Sequence, residues 1–140
     1  MYYFAIILTI ISNVLYHIFQ RVTPEKVHPT LALAVTYATS TLLCVMLIPL
    51  FPFTEGLIAS LKKINWASFA LAITIVGLEL GFLLAYRAGW IVSAGSLVSN
   101  AIVAMLLLPI GVLLFRERLL SINYLGIVVC IIGLVMVSWR

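Results

Sequence analysis

The residue best suited to chemistry is Glu79, an acid in the middle of the apolar stretch ITIVGLELGFLLAYRAG (residues 73–89). Ionisable groups at membrane depth are costly, and they usually face a protein interior or a water-filled cavity. A carboxyl group in apolar surroundings favours its protonated form. Glu79 could therefore exchange a proton for a cationic or polar substrate. The alternative role is structural, as a hydrogen-bond partner for a neighbouring helix.

Four further polar residues are candidates to line a cavity with Glu79: Asn13, His17, Tyr86 and Asn100. Asn13 and His17 lie four residues apart on one helix face, and a polar stripe on a membrane helix is expected to face protein or water. His17 either hydrogen-bonds within the bundle as a neutral group or binds protons or substrate, since its ordinary pKa is about 6.5. We expect Arg87, eight residues after Glu79, to reach the headgroups rather than to pair with the acid.

Other kinds of site find no support in the sequence. It shows no nucleophile–base pair, no metal-ligand cluster and no phosphate loop, so we predict no catalytic residue, no metal and no cofactor. Cys44 and Cys130 lie inside apolar runs without metal-ligand spacing. The net charge of +4 comes from residues scattered between apolar runs, which is typical of membrane edges and not of a nucleic-acid interface. We therefore expect neither an enzyme nor a nucleic-acid-binding protein.

The composition places Glu79 in a membrane protein. The 140 residues are 65% hydrophobic and 9% charged, whereas soluble domains carry about 25% charged residues. Five apolar runs each have about 17–25 residues, enough to cross a hydrocarbon core of about 30 Å as a helix. We predict an all-α integral membrane protein, one domain over residues 1–140 with five transmembrane helices. The predicted helices cover residues 2–20, 29–51, 66–86, 91–115 and 121–139.

Small residues mark two predicted helix-packing surfaces. Gly95 and Ser99 form a small-xxx-small pair in the fourth run, and Gly126, Cys130 and Gly133 share one face of the fifth. Small residues let helices approach closely in membranes. We expect these faces to mediate helix packing or dimer contacts.

The basic residues do not predict which side of the membrane each loop faces. With five spans, four Lys or Arg residues fall on each side of the membrane, and orientation follows the Lys/Arg bias. Either a partner determines the orientation, or the chain inserts both ways and pairs with its own inverted copy. Many transporters contain two inverted repeats with the binding site between them. The sequence therefore favours an antiparallel homodimer.

Four stretches carry a resemblance to a known family: HPTLALAVTY (28–37), AYRAG (85–89), LLLPIGVLLFRERL (106–119) and NYLGIVVCIIG (123–133). Together they resemble the drug/metabolite transporter superfamily, especially the EamA-type five-helix half-domain, and more distantly the small multidrug resistance proteins. The resemblance extends over essentially the whole chain. It implies a single EamA-like repeat in the plasma (inner) membrane of a prokaryote.

The resemblance also implies a function. EamA proteins usually carry two inverted halves, so the missing half would come from a second copy. The implied activity is proton-coupled transport of a small molecule, with membrane lipid as the surroundings. Small multidrug resistance proteins use a Glu in their first helix, where this chain has no acid, so that role does not carry over to Glu79 by position. Glu117 matches the family's acid after the fourth helix, which is structural.

Three alternatives stay open beside the homodimeric transporter. The chain could be a half-size subunit of a heteromeric transporter or of a lipid-carrier flippase, since short members of the superfamily have that role. It could also be a membrane scaffold that transports nothing. A topology assay separates these readings, because an inverted homodimer requires two orientations of the chain.

Overall fold

The chain folds into helices joined by short loops. The computed structural model describes residues 2–51, 53, 55–116 and 120–138, in which no strand occurs. The helices are α1 (Tyr2–Val22), α2 (Pro29–Leu47), α3 (Leu57–Lys62), α4 (Trp66–Arg87), α5 (Val92–Leu114) and α6 (Ser121–Ser138), with a 3-10 turn (Ile48–Leu50) after α2.

Four of these helices are long and apolar enough to cross a membrane: α1, α2 with its 3-10 turn, α4 and α5. The sixth helix has 18 residues, and its apolar stretch in the described part of the chain, Ile122–Gly133, is shorter than a full span. The all-α membrane fold is confirmed. The count of five spans is approximate, with four helices in the described part of the chain long and apolar enough to cross.

Prolines and one cap determine where two of the helices begin and end. Pro29 stands at the first turn of α2, where the missing N–H costs nothing. Pro49 has no N–H to continue the α-helix, and the chain tightens into a 3-10 turn in which the Ile48 N–H donates to the Val45 carbonyl. Asn65 caps α4, because its side-chain oxygen accepts from the Ala67 N–H at 3.0 Å.

The observed bounds differ from the predicted ones by a few residues. α1 runs two residues further than predicted and α4 one residue further, whereas α2 stops at Leu47 instead of Phe51. α3 forms within the second predicted loop. Gly56, the residue directly before α3, has a φ of +88°. Glu117, the acid that the family resemblance matched after the fourth helix, lies outside the described residues.

The chain divides into two units. The α2–α4 unit comprises residues 19–88, and the α5–α6 unit comprises residues 1–18 together with 89–140. α2 packs against α4 in the first, and α5 packs against α6 in the second. In the described part of the chain the buried apolar side chains above alanine in size are Leu33, Leu83 and Tyr86, all in the α2–α4 unit. The large apolar side chains elsewhere are mostly exposed, which suits a surface that faces lipid or a partner.

Candidate functional site

Glu79 lies well inside the span formed by α4. It is eight residues before Arg87, the last residue of that helix, which places it about 12 Å from the helix end at 1.5 Å per residue. Its side chain is half-buried. Gly77 and Gly81 flank it, and a Cβ built at either position would meet no described atom within 4 Å. The open space at these glycines lies on the face of α4 opposite Glu79, because positions two residues apart do not share a helix face.

Tyr37 on α2 is the side chain that faces Glu79. It is eight residues after Pro29, the first residue of α2, so the phenol and the carboxyl lie at matching depths in two packed helices. The two groups interact electrostatically. Their geometry falls short of a formed hydrogen bond, and the Tyr37 hydroxyl is buried without such a partner among the described residues. The phenol and the carboxyl are therefore neighbours across the packed α2 and α4 helices.

Gln20, at the end of α1, reaches the same level of α4. Its side-chain Nε2 donates to the main-chain carbonyl oxygen of Glu79 at 3.3 Å. A carbonyl has two lone pairs, so this bond adds to the one within the helix. Three helices of the chain thus contribute polar groups at Glu79, all from residues of the α2–α4 unit.

Two arginines join the ends of these helices. Arg21 donates from Nη1 to the Tyr86 carbonyl oxygen at 2.6 Å. Arg87 donates from Nη2 to the carbonyl oxygens of Pro24 at 3.0 Å and Val27 at 2.9 Å. We call these two arginines and the three carbonyl groups that they bind the arginine latch. Arg87 therefore ends α4 by binding the α1–α2 loop, and these bonds direct it away from Glu79.

The predicted cavity residues fall in both units. Tyr86 belongs to the α2–α4 unit with Glu79; it is 1% exposed and its ring stacks on Phe82 with centroids 5.8 Å apart. His17 belongs to the other unit, is buried, and meets the Tyr16 ring edge-on at 5.1 Å. Asn13 and Asn100, in that same unit, have exposed side chains. That all of these residues line one cavity with Glu79 stays a prediction.

The predicted packing residues differ in their exposure. On α5, Gly95 is buried and Ser99 is half-buried. On α6, Gly126, Cys130 and Gly133 are exposed, and a Cβ at either glycine would meet no described atom within 4 Å. No described residue therefore covers this α6 face at the two glycines. Its use as a dimer contact stays a prediction.

Sequence reasoning missed Tyr37 and Gln20 as neighbours of the acid, and it missed Arg21 as a donor to the Tyr86 carbonyl. Tyr37 was one of several hydroxyl residues in the second run, and Gln20 was one of several polar residues in the first. Counting inward from the shared end of α2 and α4 would have matched Tyr37 with Glu79. In the part of the chain that the structure describes, no group of three or more His, Cys, Asp or Glu residues could hold a metal ion.

Comparison with known proteins identifies one family. The EamA-like transporter family matches residues 1–139, nearly the whole chain. No curated protein and no solved structure matches the chain. The apolar helices and the acid at membrane depth agree with a transport protein of this kind. The chain belongs to the EamA-like transporter family, within the drug/metabolite transporter superfamily, and it is an integral membrane protein of the transporter class.

Proposed function

We propose that the chain moves a small polar or cationic molecule across the membrane in exchange for protons, with Glu79 as the group that binds them. The observation that carries this proposal is the arrangement at Glu79: a half-buried acid inside a span, faced by Tyr37 on the neighbouring helix. A carboxyl group there is neutral when protonated and attracts a cation when ionised. One group can therefore hold either the proton or the substrate, which is the requirement for exchange.

Tyr37 and Gln20 support this role in different ways. The Tyr37 hydroxyl can donate to the ionised carboxyl and accept from the protonated one, since a phenol does both. Gln20 binds the main chain of Glu79 rather than its side chain. It can therefore hold α4 in place whether the Glu79 carboxyl is protonated or ionised. The acid is thus positioned without being neutralised by a permanent cationic partner.

The exchange is tested with purified protein in vesicles, using ethidium as a cationic probe and an imposed pH gradient. We expect wild-type protein to move ethidium with proton counterflow, and Glu79→Gln to lower the rate at least tenfold. Glu55→Gln is the matched control, because this exposed acid lies outside the spans and its loss leaves the rate unchanged. Proton-coupled ethidium flux that survives in Glu79→Gln contradicts the role of Glu79. A wild-type protein that does not move ethidium contradicts a cationic substrate.

We also propose that the transporter is an inverted homodimer. The equal division of basic residues between the two sides supports insertion in both orientations. The exposed face at Gly126, Cys130 and Gly133 offers a second copy a smooth surface. Two copies would then supply two acids to one transport site.

Reporter fusions at the end of the chain test the homodimer. We expect signals from both sides of the membrane, and crosslinks between copies in opposite orientation. A single orientation contradicts the inverted homodimer and favours a half-size subunit of a heteromeric transporter or lipid-carrier flippase. A single orientation combined with a lack of transport favours a scaffold.

A further inference from the structure

The arginine latch connects two segments that are far apart in the sequence. Arg21 reaches from the end of α1 to the carbonyl of Tyr86, and Arg87 reaches from the end of α4 to two carbonyls of the α1–α2 loop. The two guanidinium groups therefore bridge the same pair of segments in opposite directions. Charged donors make stronger hydrogen bonds to carbonyl groups than neutral donors do. This end of the α2–α4 unit is consequently tied by side chains from both segments.

A buried layer lies directly inside the latch. Leu33 is four residues from the start of α2, and Leu83 and Tyr86 are four residues and one residue from the end of α4. These side chains are 6%, 1% and 1% exposed, respectively. Glu79 and Tyr37 lie one turn further in from this layer. The layer and the latch therefore stand in series between the acid and the nearer end of the unit.

Among the described residues, none covers the other halves of the same two helices in this way. Every residue of α2 after Tyr37 is exposed, and so are the first four residues of α4. The hydrogen bonds that hold the far end are local, such as the Asn65 cap and the Ser60 hydroxyl bond to the Gly56 carbonyl at 3.0 Å. The described residues of this unit thus cover the acid from one end only.

We propose that the arginine latch and the layer of Leu33, Leu83 and Tyr86 form a gate, which closes the route to Glu79 from the end that carries the α1–α2 loop. The gate rests on the proposed transport function for its purpose, because a proton or substrate must leave the acid on the side opposite its entry. The latch opens when Arg21 and Arg87 release their carbonyl acceptors and the α1–α2 loop moves away from α4.

The chemistry of the latch suits reversible opening. Its acceptors are neutral main-chain carbonyls, and the nearest carboxylate, Glu25, lies 3.9 Å from Arg21 and is itself exposed. An arginine at a membrane edge can exchange such carbonyls for water or for lipid headgroups. Opening therefore leaves no buried carboxylate without a counter-charge. A buried ion pair at this place would resist separation far more strongly.

The gate is tested by cysteine accessibility in detergent, where both ends of the protein meet solvent. The parent protein carries Cys44→Ala, Cys130→Ala and Leu83→Cys, which places one thiol in the buried layer. The rate at which this thiol reacts with a charged maleimide is measured in the parent protein and in the parent protein that also carries Arg87→Gln. We expect Arg87→Gln to raise the rate at least tenfold, and Arg87→Lys to raise it less, because one ammonium cannot reproduce the planar fork of the guanidinium.

Two controls make the result specific. Lys26→Gln removes a charge from the same loop, where Lys26 is exposed, and leaves the rate within twofold of the parent. A thiol at Val76, an exposed position of α4 beyond the acid, reacts at the same rate with and without Arg87→Gln, which shows that the helix is intact. If Arg87→Gln changes the reaction rate of the Val76 thiol, the measurement is repeated with Arg21→Gln. We expect Arg21→Gln also to raise the reaction rate of the Leu83 thiol.

A Leu83 thiol whose rate changes less than twofold in the arginine variant overturns the gate. The readout needs no transport, so it separates the two proposals. A tenfold rise in reactivity together with unchanged transport by Glu79→Gln supports the gate and contradicts the function proposed for the acid. An unchanged rate at the Leu83 thiol, together with reduced transport by Glu79→Gln, supports the role of Glu79 and contradicts the gate.

Discussion

The two ends of the α2–α4 unit are held together in different ways. At the latch end, hydrogen bonds join residues 60 to 65 positions apart in the sequence, and large side chains are buried beneath them. At the opposite end the bonds are local, spanning two to eight positions, and the surrounding side chains are exposed. Tertiary structure is thus concentrated at one end of the unit, and the acid lies just inside it.

This difference matters because membrane helices gain little from the hydrophobic effect once they are inserted. Packing and interhelical hydrogen bonds then provide the stabilisation. An end that has both should be stable, and an end that has neither should move more readily. The following predictions compare the two ends, beginning with the largest expected effect.

Leu83→Ala should destabilise the protein most, by about 2–3 kcal/mol, because it removes the packing of a side chain that is only 1% exposed. Leu78→Ala is the matched control on the same helix, since Leu78 is 53% exposed, and it should cost about 0.5 kcal/mol or less. Unfolding in mixed detergent micelles measures both free energies. Equal losses in the two variants would show that the burial of Leu83 adds no stability to the latch end.

Asn65→Ala should cost about 1 kcal/mol, because the Ala67 N–H at the start of α4 loses its acceptor. Asn65→Asp keeps an acceptor oxygen and should retain most of the stability. Hydrogen exchange should show the loss only in the first turn of α4, because no long-range bond transmits it. A change in exchange at the latch end would contradict a local role for this cap.

The pair Lys63–Glu55 should contribute least. Nζ lies 2.6 Å from Oε2, but both side chains are more than half exposed, and such pairs contribute about 0–1 kcal/mol. We expect Lys63→Ala to change the free energy of unfolding by about 0.3 kcal/mol, and added salt to abolish even this difference. A loss above 1 kcal/mol would show that the exposed end is held more firmly than its contacts indicate.

Much of the fold follows from the sequence, because the apolar runs are long and polar loops or prolines separate them clearly. Helix starts at Pro29 and Trp66 agree with the predicted ones, since a proline opens one run and an interfacial Trp after a polar loop opens the other. The end of α2 was misplaced by four residues, because hydropathy continues through Pro49 while the α-helical hydrogen bonds do not.

The site was harder to predict than the helices. The depth of Glu79 follows from counting residues along α4, and it marked the acid as a candidate. The identity of its neighbour depends on how α2 is rotated about its own axis, and α2 is apolar on all sides apart from scattered hydroxyls. Hydropathy contains little information about rotation in such a helix. Tyr37 therefore emerges only once α2 and α4 are packed together.

The acceptors of the arginine latch have a consequence for how this gate could vary among relatives. Arg21 and Arg87 bind carbonyl groups, and every amino acid supplies a carbonyl. Pro24, Val27 and Tyr86 could be exchanged for other residues while the same bonds persist, provided that the loop keeps its path. Pairwise covariation would then show no partner for either arginine. Relatives should instead retain the two arginines, together with the length of the loop, while the residues that they bind drift freely.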